Sequence, residues 1–288
     1  MWSWTSRVDS VTGYSFWSGV RMSFVLVEKP RPQIALVTLN RPERMNAMAF
    51  DVMVPLRETL EDVAADNEVR VVVLTGAGHG FCSGADLQHA GKVPGVEGLT
   101  RTSIARRSMT LLDNVMLTIK RMHQPVISAI NGAAIGGGFC LAMGTDIRIA
   151  SEDAYFRAAG INNGLTSAEL GISYTLPRAI GTTRAFEIML TGRDVDAAEA
   201  ERVGIVSRVV PADKLLEAAY DTADQIIRWS RVGGELTKRL LWNGLEAGSF
   251  ESHMQNEGLA QLYVRLTTDN FDEAIRARRD RRSPDFRD

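Results

Sequence analysis

Three consecutive glycines, Gly136, Gly137 and Gly138, sit in the stretch "AIGGGFC", where an apolar run gives way to a helix-forming segment. Glycine loses more conformational freedom on folding than any other residue, so a triplet here points to backbone that a side chain would obstruct. A second stretch, "TGAGHGFCSG", places Gly76, Gly78, Gly80 and Gly84 behind the apolar run "VVVLTG". Its spacing is neither GxGxxG nor GxxxxGK[ST], which argues against a cradle for nucleotide phosphates. "GFCSG" does spell a cysteine version of the nucleophile elbow around Cys82, but that chemistry needs a histidine and an acid from elsewhere in the chain. His123 is the candidate, and it reads more simply as a polar residue closing a helix before Pro125.

The two glycine stretches make better sense together. Each follows a strand-like run and offers bare main-chain N–H groups at its carboxyl end, where open α/β sheets bind ligands. Glycine lets a ligand atom approach those amides, and a helix N-terminus adds partial positive charge. Two convergent N–H donors form an oxyanion hole. Cys140 lies nearly one helical turn past Gly137, so its side chain can face the same space, although a buried free cysteine more often acts as a small hydrophobe.

The elements that must position these groups follow from apolar periodicity. Phe24 to Lys29 and Ile34 to Asn40 flank "PRPQ" as a hairpin, and Asp51 to Asn67 reads as a helix with Val54, Leu56, Leu60 and Val63 apolar at near-helical spacing. Val71 to Gly76 is an apolar strand, Thr102 to Arg121 a helix, and Val126 to Ile130 a strand leading to the glycine triplet. "DIRIAS" and "AYFRA" add two more strands. Alternating strands and helices define an α/β architecture with covered sheet faces. After about residue 180 only helices are expected, one of them capped by Asp196 with Glu199 three residues on. The expected division is an unstructured extension over 1–22, an α/β core over 23–215 and a helical C-terminal region over 216–288 that packs on the core or on neighbouring subunits.

Composition excludes several function classes. The 288 residues are 45% hydrophobic and 24% charged with a formal net charge of −2, so neither nucleic acid nor an acidic surface is the expected partner. Two cysteines, Cys82 and Cys140, make no disulfide framework and no metal cluster, which fits a reducing compartment, the cytoplasm, and no bound metal. Pro125 to Thr145 carries no charge over roughly the length of a membrane span, yet Asn131 and the glycine triplet fit a buried strand, turn and helix.

Three segments, "LNRPERMNAM", "VVLTGAGHGFCSGADL" and "AINGAAIGGGFCLAMGTDIRIAS", resemble the signature regions of the crotonase superfamily, the enoyl-CoA hydratase/isomerase family. "LTGRDVDAAEAERVGIVSRVV" and the terminal "FDEAIRARRDRRSPDF" are similar as well, so the resemblance spans about Phe24 to Phe286. It implies a spiral of ββα units with a helical C-terminal trimerisation region, trimers or paired trimers, and an acyl-CoA thioester as ligand, coenzyme A arriving with the substrate and no separate cofactor. Carried over position by position, the amides of Ala85 and Gly137 hold the thioester oxygen, flanked by Gly84 and Gly136. Backbone from Met45 to Ala47 and the loop of Gly84, Ala85, Asp86 and Leu87 wrap the coenzyme, with Asp86 bracing its loop. Arg41, Arg44 and the cluster from Arg278 to Arg282 are candidate phosphate contacts or simple surface charge.

The departures decide the expected chemistry. Hydratases of the family carry two glutamates, at positions that Cys140 and Gly160 occupy here, and water addition needs a base and an acid that neither residue supplies. "GLTSAELGISYTLPRAIG" resembles a segment of Δ3,Δ2-enoyl-CoA isomerases in which one glutamate precedes "SYT-P", which makes Glu169 the base. An isomerase needs only that one proton shuttle. Glu169 reads equally as a helix-start acid complementing the dipole. A hydratase or other crotonase-type lyase with different acid and base residues, or an acyl-CoA-binding protein without turnover, are the alternatives.

Overall fold

The computed structural model describes residues 23–288, together with the backbone of a two-stranded ribbon, β1 (Ser15–Trp17) and β2 (Val20–Met22). The extension expected over 1–22 otherwise lies outside the described residues.

Four successive ββα units build the core: β3 (Val25–Arg31), β4 (Ile34–Leu39) and α1 (Phe50–Ala65); β5 (Val71–Gly76), β6 (Gly80–Cys82) and α2 (Arg101–Arg121); β7 (Val126–Ile130), β8 (Ala133–Ile135) and α3 (Gly137–Met143); β9 (Ile147–Ser151), β10 (Tyr155–Arg157) and α4 (Ile172–Ile180). Then come α5 (Thr182–Thr191), β11 (Asp194–Asp196), α6 (Ala197–Val203), β12 (Arg208–Val210), α7 (Leu215–Ile227), α8 (Arg231–Glu246), α9 (Phe250–Thr267) and α10 (Asn270–Arg279).

In every unit after the first, the first strand joins one sheet and the second strand crosses to another. The larger sheet runs β12-β9-β7-β5-β4-β3 and the smaller β11-β10-β8-β6. The β3–β4 hairpin is antiparallel, whereas β4, β5, β7, β9 and β12 pair in parallel. Parallel strands covered on both faces read as unbroken apolar runs, and all six residues of "VVVLTG" are buried. Alternation still sorts them: Val72 and Leu74 join the main core with α1, α2 and α3, while Val71 and Val73 meet Leu215, Ala219 and Ala223 of α7.

Three features depart from the sequence expectation. The glycine stretches that follow β5 and β7 each hold an unexpected three-residue strand, β6 and β8. The segment after residue 180 holds two short strands besides its helices, β11 antiparallel to β10 and β12 parallel to β9. Three-residue strands are too short to show a period, and their pairing partners lie far off in the chain. At α6 the Asp196 side chain accepts the Glu199 N–H at 2.7 Å as expected, but the Glu199 carboxylate is taken by Arg193 at 2.7 and 2.8 Å and does not reach back. The uncharged run from Pro125 to Thr145 folds as β7, β8 and α3, and among the described residues no helix is long and apolar enough to cross a membrane.

Candidate functional site

The two glycine stretches meet because β6 and β8 pair in parallel, Gly80 opposite Ala133 and Cys82 opposite Ala134. The loops leaving those strands then run side by side. Gly84 has φ +82°, and a Cβ there would fall 2.6 Å from the Ile135 carbonyl oxygen and 3.4 Å from the Gly137 nitrogen, so the loop brushes the Gly137 amide. Met48 fixes the loop from the other side. Its N–H donates to the Gly84 carbonyl at 2.7 Å, and its own carbonyl accepts the Asp86 N–H at 3.0 Å. That pattern leaves the intervening Ala85 N–H pointing away from Met48. Gly136 N–H is spent on the Arg157 carbonyl at 2.8 Å, and Gly137 opens α3 with no residue four behind it in the helix. Among the described residues, neither the Ala85 nor the Gly137 N–H has an acceptor within the protein.

Each glycine of the triplet has its own reason. Gly136 has φ +51°, a left-handed backbone that side chains disfavour. A Cβ on Gly137 would overlap the Met48 thioether, and one on Gly138 would overlap the Cys82 carbonyl. Met48 thus braces the Ala85 loop through its backbone and Gly137 through its side chain. Nothing in the residue type of Met48 signals this role, and sequence reasoning passed over it.

Glu169 stands three residues before α4, outside the helix, in a turn built on Leu170 (φ +46°) and Gly171 (φ +83°). A left-handed leucine costs about 1 to 2 kcal/mol, a local strain that the surrounding packing must hold. Leu170 is buried, and its Cδ1 lies 3.6 Å from where a Gly137 Cβ would be. The Glu169 carboxylate is half-buried, with Oε1 3.6 Å from the position of a Gly136 Cβ. No cation or hydrogen-bond donor engages it among the described residues. Burial raises its pKa above the ordinary 4.5, a shift in the direction that suits a carboxyl taking and returning a proton. The turn also borders a cavity of about 340 Å³ lined by Met116, Leu117, Leu170, Tyr174 and Trp242. A larger cavity of about 720 Å³ lies beneath α8, around Asp146 and Lys238, and includes none of the candidate site residues.

The two positions of the hydratase glutamates differ in kind. Cys140 is 2% exposed, and its thiol is pushed well above its ordinary pKa by burial and by the nearby Glu169 charge, so it stays protonated and donates to the Glu169 carbonyl at 3.5 Å. It lies against the Glu169 turn as a buried thiol, the packed alternative of the two that the sequence left open. Gly160 admits no side chain at all, because a Cβ would overlap the Thr166 carbonyl in a loop closed by Leu165 N–H to Gly160 O at 2.9 Å. The Cys82 elbow fails too. Burial pushes the Cys82 thiol up to about 12, and His123 faces Glu235 at 3.7 Å.

At the rim, Asp86 braces its loop as expected. Its Oδ1 accepts the Gln88 and His89 N–H groups at 3.0 and 2.8 Å, and its Oδ2 lies 3.0 Å from Arg41 Nη1, an ion contact whose angle falls outside hydrogen-bond geometry. Burial works to raise the Asp86 carboxyl, but those amides and the charges of Arg41 and Arg44 outweigh it and hold its pKa below the usual carboxylate range. Arg41, 8% exposed and committed to Asp86, is therefore no phosphate contact. Arg44 spans Gln88 and His89 at 2.6 and 3.0 Å on the outer side of the same loop. Met45 and Leu87 are exposed beside it, whereas Ala47 is buried. Buried Asn46 ties the rim to the strand ends by accepting from Arg41 N–H and donating to the Ala77 and Gly80 carbonyls. In the basic cluster, Arg282 is spent on Glu273, and Arg279 pairs with Asp280.

A ββα spiral with two uncommitted amides on adjoining loops at its strand ends and an unpaired carboxylate beside Gly136 defines an enzyme of the crotonase fold. The chain belongs to the enoyl-CoA hydratase/isomerase family, whose family model matches residues 30–288. It is 66% identical over 267 residues to a protein of Mycobacterium tuberculosis named "Probable enoyl-CoA hydratase EchA12", a match covering 93% of this chain and 94% of that protein. A crystal structure from Mycobacterium abscessus, of a probable enoyl-CoA hydratase/isomerase, is 66% identical with a TM-score of 0.89, covering 92% of this chain and 99% of the other. A structure from Mycobacterium smegmatis, described as a monofunctional enoyl CoA isomerase, is 61% identical with a TM-score of 0.70, covering 81% of this chain and 99% of the other.

Proposed function

We propose that the protein is an enoyl-CoA isomerase that shifts a double bond from the Δ3 to the Δ2 position of an acyl-CoA thioester. The observation that carries this reading is the unpaired carboxylate of Glu169, half-buried beside Gly136, while Cys140 and Gly160 supply none. Glu169 takes a proton from C2 of the 3-enoyl thioester. The electron pair spreads into a dienolate whose oxygen is held by the N–H groups of Ala85 and Gly137. Glu169 then returns the proton at C4, the double bond settles between C2 and C3, and no atom is gained or lost. Removing one such oxyanion donor ordinarily costs about 2.7 to 4 kcal/mol of transition-state stabilisation. The sequence is redox-neutral and needs no cofactor beyond the coenzyme A of the substrate, which the rim from Arg44 to Ala47 and from Gly84 to Leu87 receives.

The isomerase described from Mycobacterium smegmatis supports this reading, and the hydratase name of the Mycobacterium tuberculosis relative favours a second one, hydration of a 2-enoyl-CoA. Turnover of 3-enoyl-CoA and 2-enoyl-CoA by the wild type and Glu169→Gln separates them. Loss of 3-enoyl turnover in the variant supports isomerisation. Hydration of 2-enoyl-CoA unaffected by the substitution removes Glu169 from the mechanism, and tight thioester binding without turnover marks a binding protein. Exposed Phe250, Met254, Leu259, Leu262, Tyr263 and Leu266 on α9 support assembly as a homotrimer or a dimer of trimers. The free, buried thiols of Cys82 and Cys140 are in keeping with a reducing cytoplasm.

A further inference from the structure

The position that carries a glutamate in hydratases of the family has acquired a different task here. Cys140 projects from the first turn of α3 toward the Glu169 turn, and its Sγ lies 3.5 Å from the Glu169 carbonyl oxygen. The same oxygen accepts the Ile172 N–H at 3.0 Å where α4 begins. Two donors from two elements therefore converge on one carbonyl at the start of a turn whose next residue, Leu170, is a buried side chain held in left-handed backbone. Such backbone persists only where neighbouring groups over-determine it. Ile172 belongs to the helix that the turn leads into and moves with it. Cys140 belongs to the helix that carries the Gly137 amide, so its contact ties the carboxylate side of the site to the amide side.

Resting on the reading of Glu169 as the base, we propose that Cys140 is a positioning residue: its thiol hydrogen bond to the Glu169 carbonyl holds the Glu169–Gly171 turn so that the carboxylate stands beside Gly136. The thiol is neither nucleophile nor base. At 2% exposure it is a neutral donor, and the distance between base and oxyanion donors is what it sets. A hydroxyl at the same place can still donate, and a methyl cannot.

The test compares Cys140→Ala, Cys140→Ser and Glu169→Gln with the wild type by 3-enoyl-CoA turnover, and follows hydrogen exchange of the Ile172 amide as a readout independent of activity. Misplacement of a catalytic group by a fraction of an ångström is costly, so Cys140→Ala lowers kcat about tenfold while KM stays within about twofold. Cys140→Ser recovers kcat to within about threefold of the wild type, because an O–H replaces the S–H donor. Exchange at Ile172 accelerates in the alanine variant and returns toward the wild-type rate in the serine variant. Equal kcat and equal exchange in alanine variant and wild type overturn the proposal, as does equal loss in the alanine and serine variants. If Glu169→Gln loses turnover while Cys140→Ala keeps it, the positioning role alone falls. If Glu169→Gln keeps turnover, the isomerase reading fails and the proposal with it.

Discussion

Gly138 and Cys140 are two residues apart in α3, yet they sit on opposite sides of the site and answer to different constraints. On the amide side, Gly138 and Gly84 meet main chain, the Cys82 and Ile135 carbonyls, while Gly137 meets the flexible end of the Met48 side chain. On the carboxylate side, a half-buried Glu169 hangs from a strained turn supported by one thiol and one helix amide. At Gly138 and Gly84 the amide side is rigid because backbone meets backbone, whereas the carboxylate side rests on fewer and softer supports.

The sharpest way to break this contrast is a methyl group on each side. Gly138→Ala drives a Cβ into the Cys82 carbonyl, where nothing can swing aside, and is expected to cost at least about 4 kcal/mol and yield little folded protein by thermal denaturation. Folded Gly138→Ala with a wild-type Tm would show that the amide side is not rigid. Gly137→Ala presses instead on the end of the Met48 side chain, which can rotate. It is expected to fold, at a cost of about 1 to 3 kcal/mol, and to lose turnover because the moved thioether disturbs the Ala85 loop.

On the carboxylate side, Glu169→Gln is expected to lower kcat by about 10² to 10⁴ with no loss of stability. The pH dependence follows with a definite sign. Burial raises the folded pKa of Glu169 above 4.5, so between that value and the raised one the folded state binds more protons than the unfolded state. This group's contribution to stability therefore declines as pH rises through that window, and Glu169→Gln, free of the desolvation cost, should melt slightly above the wild type at neutral pH. The acid limb of kcat/KM should lie above 4.5, the base being active only when ionised. A limb at or below that value would contradict the burial of the carboxylate.

Asp86→Ala leaves the buried Arg41 charge with only the exposed Glu43 carboxylate, 3.9 Å from its Nε, and is expected to cost about 3 kcal/mol. Because the folded pKa of Asp86 is depressed, its contribution is present at neutral pH and lost as pH falls through that depressed value. The smallest effect belongs to Arg44→Ala: a rim charge on a half-exposed loop, its removal raising KM for the thioester about two- to fivefold with kcat unchanged.

The same contrast explains what could be read from the chain. The amide side was legible because a backbone requirement appears as glycine, and strands β5 and β7 were legible as unbroken apolar runs with the boundaries found in the structure. Met48 was not, because a methionine that braces two loops looks like any other core residue. Leu170 was not, because left-handed backbone at a leucine has no compositional sign. Arg41 looked like a phosphate contact because a buried ion pair with Asp86, 45 positions on, is invisible in one dimension. Strands β6, β8, β11 and β12 were missed for the same reason, since each is three residues long and exists only through its pairing with a distant segment.

The most direct measurement is a crystal structure with a non-reactive acyl-CoA thioester bound. It should place the thioester oxygen about 2.7 to 3.1 Å from the nitrogens of both Ala85 and Gly137, with the Glu169 carboxylate facing C2. A bound thioester whose oxygen contacts neither amide would contradict the account.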